Sequence, residues 1–163
     1  MNVLVRALKA AWDEVNKPET FVKGDEFEYF VRKHLFPVNK FELVQRTHDY
    51  TSNKDDYVES SKEPDFKFRS RKSGFEFFIE AKYRSGFYDG AIQWCKPYQF
   101  RRYKEIDKDT LVYIVIGVGR QPGNPQNIFL LPTRKTKYTR IVYSLLKFYE
   151  IPKGRCVSEK RLV

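Results

Sequence analysis

Apolar and polar positions alternate most regularly over residues 63–85, where Phe66 and Phe68 fall on one side of an extended segment and Asp65, Lys67 and Arg69 on the other. Pro64 has no N–H to give to a ladder and suits a strand start. Ser73-Gly74 supplies a turn, after which Phe75, Phe77, Ile79, Ala81 and Tyr83 share one face and Glu76, Phe78, Glu80, Lys82 and Arg84 the other. The pattern predicts a hairpin whose second strand is apolar on both sides for part of its length, as expected of a central strand covered on both faces.

Elsewhere the period changes. Val3, Leu4, Ala7, Leu8, Ala11, Trp12 and Val15 recur with helical spacing up to Asn16-Lys17-Pro18, and this apolar stripe fits core packing or a contact with a second subunit. A second helix is expected from Thr20 to Leu35, stopped by Pro37, with Gly24 either delaying its start or admitting another backbone. Residues 41–47 read as a short strand and the polar residues 48–63 as a mobile loop whose acids are solvated. A turn-rich loop at 85–90 leads to a helix beginning near Pro97. Leu111 to Val118 is a buried strand, and a further strand covers Asn127 to Leu131. The glycines between them serve turns, because no helix follows to cradle a phosphate. A last helix is expected from Thr136 to Tyr149, ahead of a basic, loosely held tail, 151–163.

Composition narrows the class. The 163 residues are 41% hydrophobic, with 14 Phe and 11 Tyr, so one folded domain is expected. Lys and Arg number 31 against 21 Asp and Glu, and a net charge of +10 makes a polyanion, nucleic acid above all, the leading partner. With neither an apolar run long enough to span a bilayer nor a cleavable leader pattern, the expectation is a cytoplasmic protein with no membrane partner. Cys95 and Cys156 lack zinc or disulfide spacing and read as free thiols, and His34 and His48 as surface residues.

Polar residues at the end of an otherwise apolar central strand need a reason. Asp65 and Glu80 on neighbouring strands, with Lys82 two residues beyond, make a hard-oxygen site for a divalent cation with an ammonium beside it, which is chemistry for phosphate esters. Read from the residues alone, a salt-bridged hairpin face remains the alternative.

Pro64-Asp65, fourteen intervening residues and Glu80-Ala81-Lys82 resemble the signature of the PD-(D/E)xK nuclease superfamily. Gly24-Asp25-Glu26-Phe27-Glu28 is similar to the Gly-x-x-Phe-Glu pattern of its first helix, and Gln99 with Tyr103 to the QxxxY motif of its RecB-like and related branches. The resemblance spans roughly Gly24 to Val118. It implies a restriction-endonuclease-like αβββαβ core, about 20–118, in an α/β chain with a mixed central β-sheet flanked by helices, an extra N-terminal helix and a C-terminal strand and helix.

For the site, the resemblance implies Mg²⁺, with Mn²⁺ as substitute, on Asp65, Glu80 and the Ala81 carbonyl. Glu28 adds a third carboxylate; without the resemblance it would read as a helix acid paired with Arg32. Lys82 would position the attacking water, and Gln99 and Tyr103 would brace the site and touch backbone phosphate. Beyond the motif, Arg84 lies in register with Glu80 and Lys82 and is either a contact to a neighbouring phosphate or a surface arginine, while Arg101, Arg102 and Lys104 give their helix a basic surface. The expected function is a Mg²⁺-dependent DNA endonuclease of repair, recombination or restriction. The alternative is a non-catalytic nucleic-acid-binding module or subunit, and the first helix leaves a homodimer open.

Overall fold

The computed structural model describes residues 2–15, 18–47 and 63–162, without the side chains of Asp13 and Glu14. The expected loop at 48–63 thus lies, apart from Glu63, outside the described residues, as does His48. Five strands form the central sheet: β1 (Phe41–Arg46), β2 (Phe66–Ser70), β3 (Glu76–Arg84), β5 (Val112–Val118) and β6 (Asn127–Pro132), in spatial order β1-β2-β3-β5-β6. Among the described strands only β3 and β5 run parallel, and helix α3 (Pro97–Asp107) makes the crossover that a parallel pair requires. A small second sheet pairs β4 (Ala91–Gln93) with β7 (Arg140–Val142).

The two faces of β3 separate as the alternation demands. Phe77 and Ile79 join Phe66 and Phe68 under helix α2 (Glu19–Phe30), which continues through a wider helical turn over Val31–Leu35. Phe78 joins Trp94, Tyr103, Ile114 and Ile116 on the other face, covered by α3 and the small sheet. β5 is buried along its whole length. α2 can lie close to the sheet because Gly117 has no side chain: a Cβ there would stand 2.2 Å from the Phe27 ring, which is itself fully buried.

Several expectations are corrected. The stripe of α1 (Val3–Val15) is not core, because Val3, Leu4, Leu8 and Val15 are all well exposed. Gly24 neither delays α2, which starts at Glu19, nor meets another backbone, since a Cβ there would find open space. The helix expected over 136–149 is instead strand β7, one helical turn at Tyr143–Leu146 and a 3₁₀ turn at Lys147–Tyr149. Pairing with β4 uses the backbone of Ile141 that a helix would have used itself. The tail is not loose: Ile151, Val157 and Leu162 are buried, and Val157 N–H donates to the Leu35 carbonyl at 2.9 Å.

Two glycine substitutions test this packing. Gly117→Ala forces Phe27 out of a filled site and is expected to lower stability by about 1–3 kcal/mol. Gly24→Ala adds helix propensity in open space and is expected to raise it by up to about 1 kcal/mol. Urea unfolding of both variants checks the pair, and a neutral Gly117→Ala would refute the close approach of α2.

Candidate active site

The pairing of β2 with β3 ends at Phe66↔Ile79, while β3 runs on to Arg84 with β5 still at its other side. The Ala81 amide therefore has no strand partner towards β2. Asp65, immediately before β2, fills the gap: its Oδ2 accepts from Ala81 N–H at 2.8 Å. Glu80 answers from the other strand, its Oε2 accepting from Asp65 N–H at 3.3 Å and its Oε1 pairing with Lys82 Nζ at 2.6 Å. Within a strand residue the N–H and C=O share an edge, so the Ala81 carbonyl faces the same gap.

Side chains from two helices converge on this strand end. From α3, buried Tyr103 hydrogen-bonds to Glu80 and stacks on Trp94, with ring centres 6.2 Å apart. From α2, Glu28 feels the charges of Glu80 and Lys82, and its ion-pair partner is Arg46 of β1 at 3.8 Å, not Arg32. Arg46 and Asp25, which presses on Glu28 electrostatically, were not singled out from the sequence. Asp25 sits one turn before Glu28 and had a local signal, whereas Arg46 comes from a separate strand and had none.

The charge balance is strained. Burial raises the Asp65 carboxyl well above its ordinary value, and Glu80 and Glu28 add to the shift against the opposing pull of Lys82 and the Ala81 amide. Burial also raises Glu28, from the ordinary 4.5 to about 7, with Asp25 contributing next. Burial works against the Lys82 ammonium, but Glu80 and Asp65 overcome it and leave its pKa above the usual lysine value, so Lys82 is a cation and not a base. Burial pushes the nearby Cys95 up to about 12, which makes it an inert thiol.

The remaining expected residues have local work. Among the described residues Gln99 makes no hydrogen bond to the acidic cluster; its Oε1 accepts from Lys96 N–H at 3.0 Å and caps the start of α3. Arg84 donates to the carbonyls of Gln93, Tyr83 and Trp94 at 2.8–2.9 Å, so its guanidinium braces the chain around β4, in place of a free strand-end cation. Lys104 donates to the Thr133 carbonyl at 2.6 Å, on the side of α3 away from the acids. Arg102 lies over the Tyr103 ring, and Arg101 is exposed.

Among the described residues, no three His, Cys, Asp or Glu side chains stand close enough together to hold one ion as they are. The donor chemistry still fits a hard divalent cation. Asp65 and Glu80 are joined across one strand gap with the Ala81 carbonyl beside them, and the raised carboxyls of Asp65 and Glu28 mark an excess of acid that a cation would relieve.

A five-stranded mixed sheet with one parallel pair, one helix packed on each face and acids at the end of the central strand is the restriction-endonuclease-like fold. A solved structure that shares it is Hjc, a Holliday junction resolvase from the archaeal hyperthermophile Archaeoglobus fulgidus, with a TM-score of 0.55 over 83% of this chain and 99% of that one. At 14% identity the likeness is one of fold. No family model matches the sequence, and no curated protein matches it either.

The raised carboxyls set a pH dependence. An acid whose folded pKa exceeds its unfolded value contributes stability that is fully present below the unfolded pKa and lost as pH rises through the folded one. For Glu28 that window runs from 4.5 to about 7, and Asp65 acts in the same direction. In chelator, stability should fall by about 1–2 kcal/mol between pH 5 and pH 7.5. Glu28→Gln should flatten much of that slope in thermal melts. Stability that rises across the range would show the acids to be unstrained.

Proposed function

We propose that this chain is a divalent-metal-dependent DNA endonuclease that hydrolyses phosphodiester bonds at the end of β3. The observation that carries the reading is the cross-strand lattice of Asp65, Glu80 and Lys82, in which each carboxylate accepts an amide of the opposite strand and Lys82 stays charged beside them. The fold shared with a Holliday junction resolvase supports it and makes branched DNA the first substrate to test.

In this reading Asp65, Glu80, the Ala81 carbonyl and Glu28 would hold Mg²⁺ or Mn²⁺. When bound, the ion supplies Lewis acidity that polarises the phosphodiester and acidifies water. The rest belongs to the chain. Lys82 directs its N–H donors at the attacking water or the phosphoryl oxygen, and its charge favours the anionic transition state. Tyr103 fixes the Glu80 carboxylate by its hydroxyl, while Gln99 holds the first turn of α3 so that Tyr103 arrives in place. Arg101 faces solvent, where it can meet backbone phosphate.

The absence of a ready three-acid cluster among the described residues favours a second reading, a DNA-binding module without turnover. Two variants separate them. With Mg²⁺ and a four-way junction or linear duplex, Lys82→Ala should lose at least about a hundredfold in cleavage rate while junction affinity changes by no more than about threefold. Cleavage by Lys82→Ala at the wild-type rate would sink the site assignment, and a wild type that binds but never cuts would favour the module.

Asp65→Asn should remove charge repulsion of about 1 kcal/mol, melt higher than wild type in chelator and gain no stabilisation from Mg²⁺. Thermal melts with chelator and with Mg²⁺ decide this. A lower melting temperature together with an intact Mg²⁺ shift would make Asp65 an ordinary structural carboxylate.

A further inference from the structure

A cavity lies at the opposite end of the sheet from the acids. It has a volume of about 890 Å³ and opens beside the β2–β3 turn and the C-terminal segment. Phe75 precedes Glu80 by five positions, so roughly 16 Å of strand separates the two places. Its floor is apolar: half-buried Phe75 and Leu111 lie over Phe41, Val157 and Leu162.

Three polar side chains of its wall, Ser70, Ser73 and Glu159, are already engaged with one another. Ser73 Oγ donates to Glu159, Ser70 Oγ accepts from Lys72 N–H and Ser73 N–H, and these serines hold the Glu159 carboxyl below its ordinary value. The floor therefore offers apolar surface and few open hydrogen-bonding groups. Around it stand Lys72, Lys160 and Arg71, and a second cavity of about 490 Å³ shares Lys40 and Ser158 with the first and is flanked by Arg155 and Arg161. The result is an apolar slot continuous with a cationic shelf.

From this we infer that the slot and shelf dock a short acidic segment of a partner protein, with an aliphatic or aromatic anchor in the slot and its carboxylates on the lysines and arginines. Charge complementarity selects an acidic occupant, and the spent polar atoms of the floor select an apolar side chain over a nucleobase, whose edges would go unpaired there. Glu159 sharpens the choice: it can accept a peptide N–H, whereas a phosphodiester has no donor to give it. The site is independent of the proposed chemistry at Asp65 and Glu80.

Fluorescence anisotropy with the full chain tests it, using fluorescein-labelled synthetic peptides in which Asp and Glu flank a central Leu-Phe pair. Saturable binding with a micromolar Kd is expected. It should weaken at least about tenfold when Leu-Phe is replaced by Ser-Ser, when the acids are replaced by Lys, and in the Lys72→Glu/Lys160→Glu protein. Both lysines are exposed and lie outside the acidic site, so the double variant should stay folded and keep the wild-type cleavage rate at saturating DNA. No saturable binding, or equal binding by the double variant, overturns the inference. So does displacement of the peptide by oligothymidylate at equal or lower concentration, which would assign the surface to nucleic acid. Self-association of the wild type that the two substitutions abolish would assign it to a second copy and overturn it equally.

Discussion

A strand buried on both faces must satisfy its backbone on both edges, and β3 loses one edge partner at Ile79 while still enclosed by protein. The site grows from that deficit. Asp65 is the first residue able to reach back along the missing ladder, and it spends one carboxylate oxygen on the Ala81 amide. Glu80 then faces the Asp65 amide, so the acids are brought together by the need to pair backbone groups. A hydrogen-bonded acid pair in a half-buried gap is electrostatically costly, and Lys82, two positions along the same face, offsets part of the cost. The same three residue types elsewhere on the sheet, where β2 and β3 are fully paired, would face solvent and form an ordinary surface ion pair.

Helix packing decides how far the acid excess extends. α2 packs on β3 and lays the Phe27 ring over Gly117 of β5, where any side chain would collide with it, and that close approach carries Glu28 towards the strand end. On the other face Trp94 and Tyr103 stack, and Tyr103 reaches Glu80 through the core. Arg84 ties the two together indirectly, because its guanidinium holds the Gln93 and Trp94 carbonyls beside the strand that carries Glu80. A cation placed for phosphate by its register thus serves as a clamp on the wall of the site.

What could be read from the sequence was what is local or periodic. The two-residue period fixed which side chains of the hairpin share a face, and it placed Glu80, Lys82 and Arg84 in one row as found. The site's distant partners were hidden, since Arg46 meets Glu28, and the carbonyls meet Arg84, only once separate segments pack. The misreading of 136–149 has the same origin: Ile141, Leu145, Leu146 and Tyr149 keep a helical spacing, but three residues of β4 compete for the backbone of β7 and win. The tail looked loose because its apolar residues, Ile151, Val157 and Leu162, are sparse among charges, yet each is buried. In α1 the spacing was read correctly and of its two expected uses core packing fails, because periodicity says which residues share a face and nothing about what covers it.

The net charge of +10 takes on a different meaning once the basic residues near the site are located. Arg84 and Lys104 are bound to carbonyls, Arg102 lies over Tyr103, Arg46 answers Glu28, and Lys82 answers Glu80. Local cations are thus largely committed to holding the acidic centre and its wall together. If the substrate is the polyanion proposed above, its attraction falls to the summed field of the whole molecule, which acts over about a Debye length and favours encounter without fixing register. Register must then come from short contacts at the strand end, where Lys82 and the acids lie. Under the proposed function, that division would let a strongly basic protein carry its chemistry in a locally acid-rich gap: the field would gather phosphate, and only a cation bound among the acids would let phosphate approach them closely.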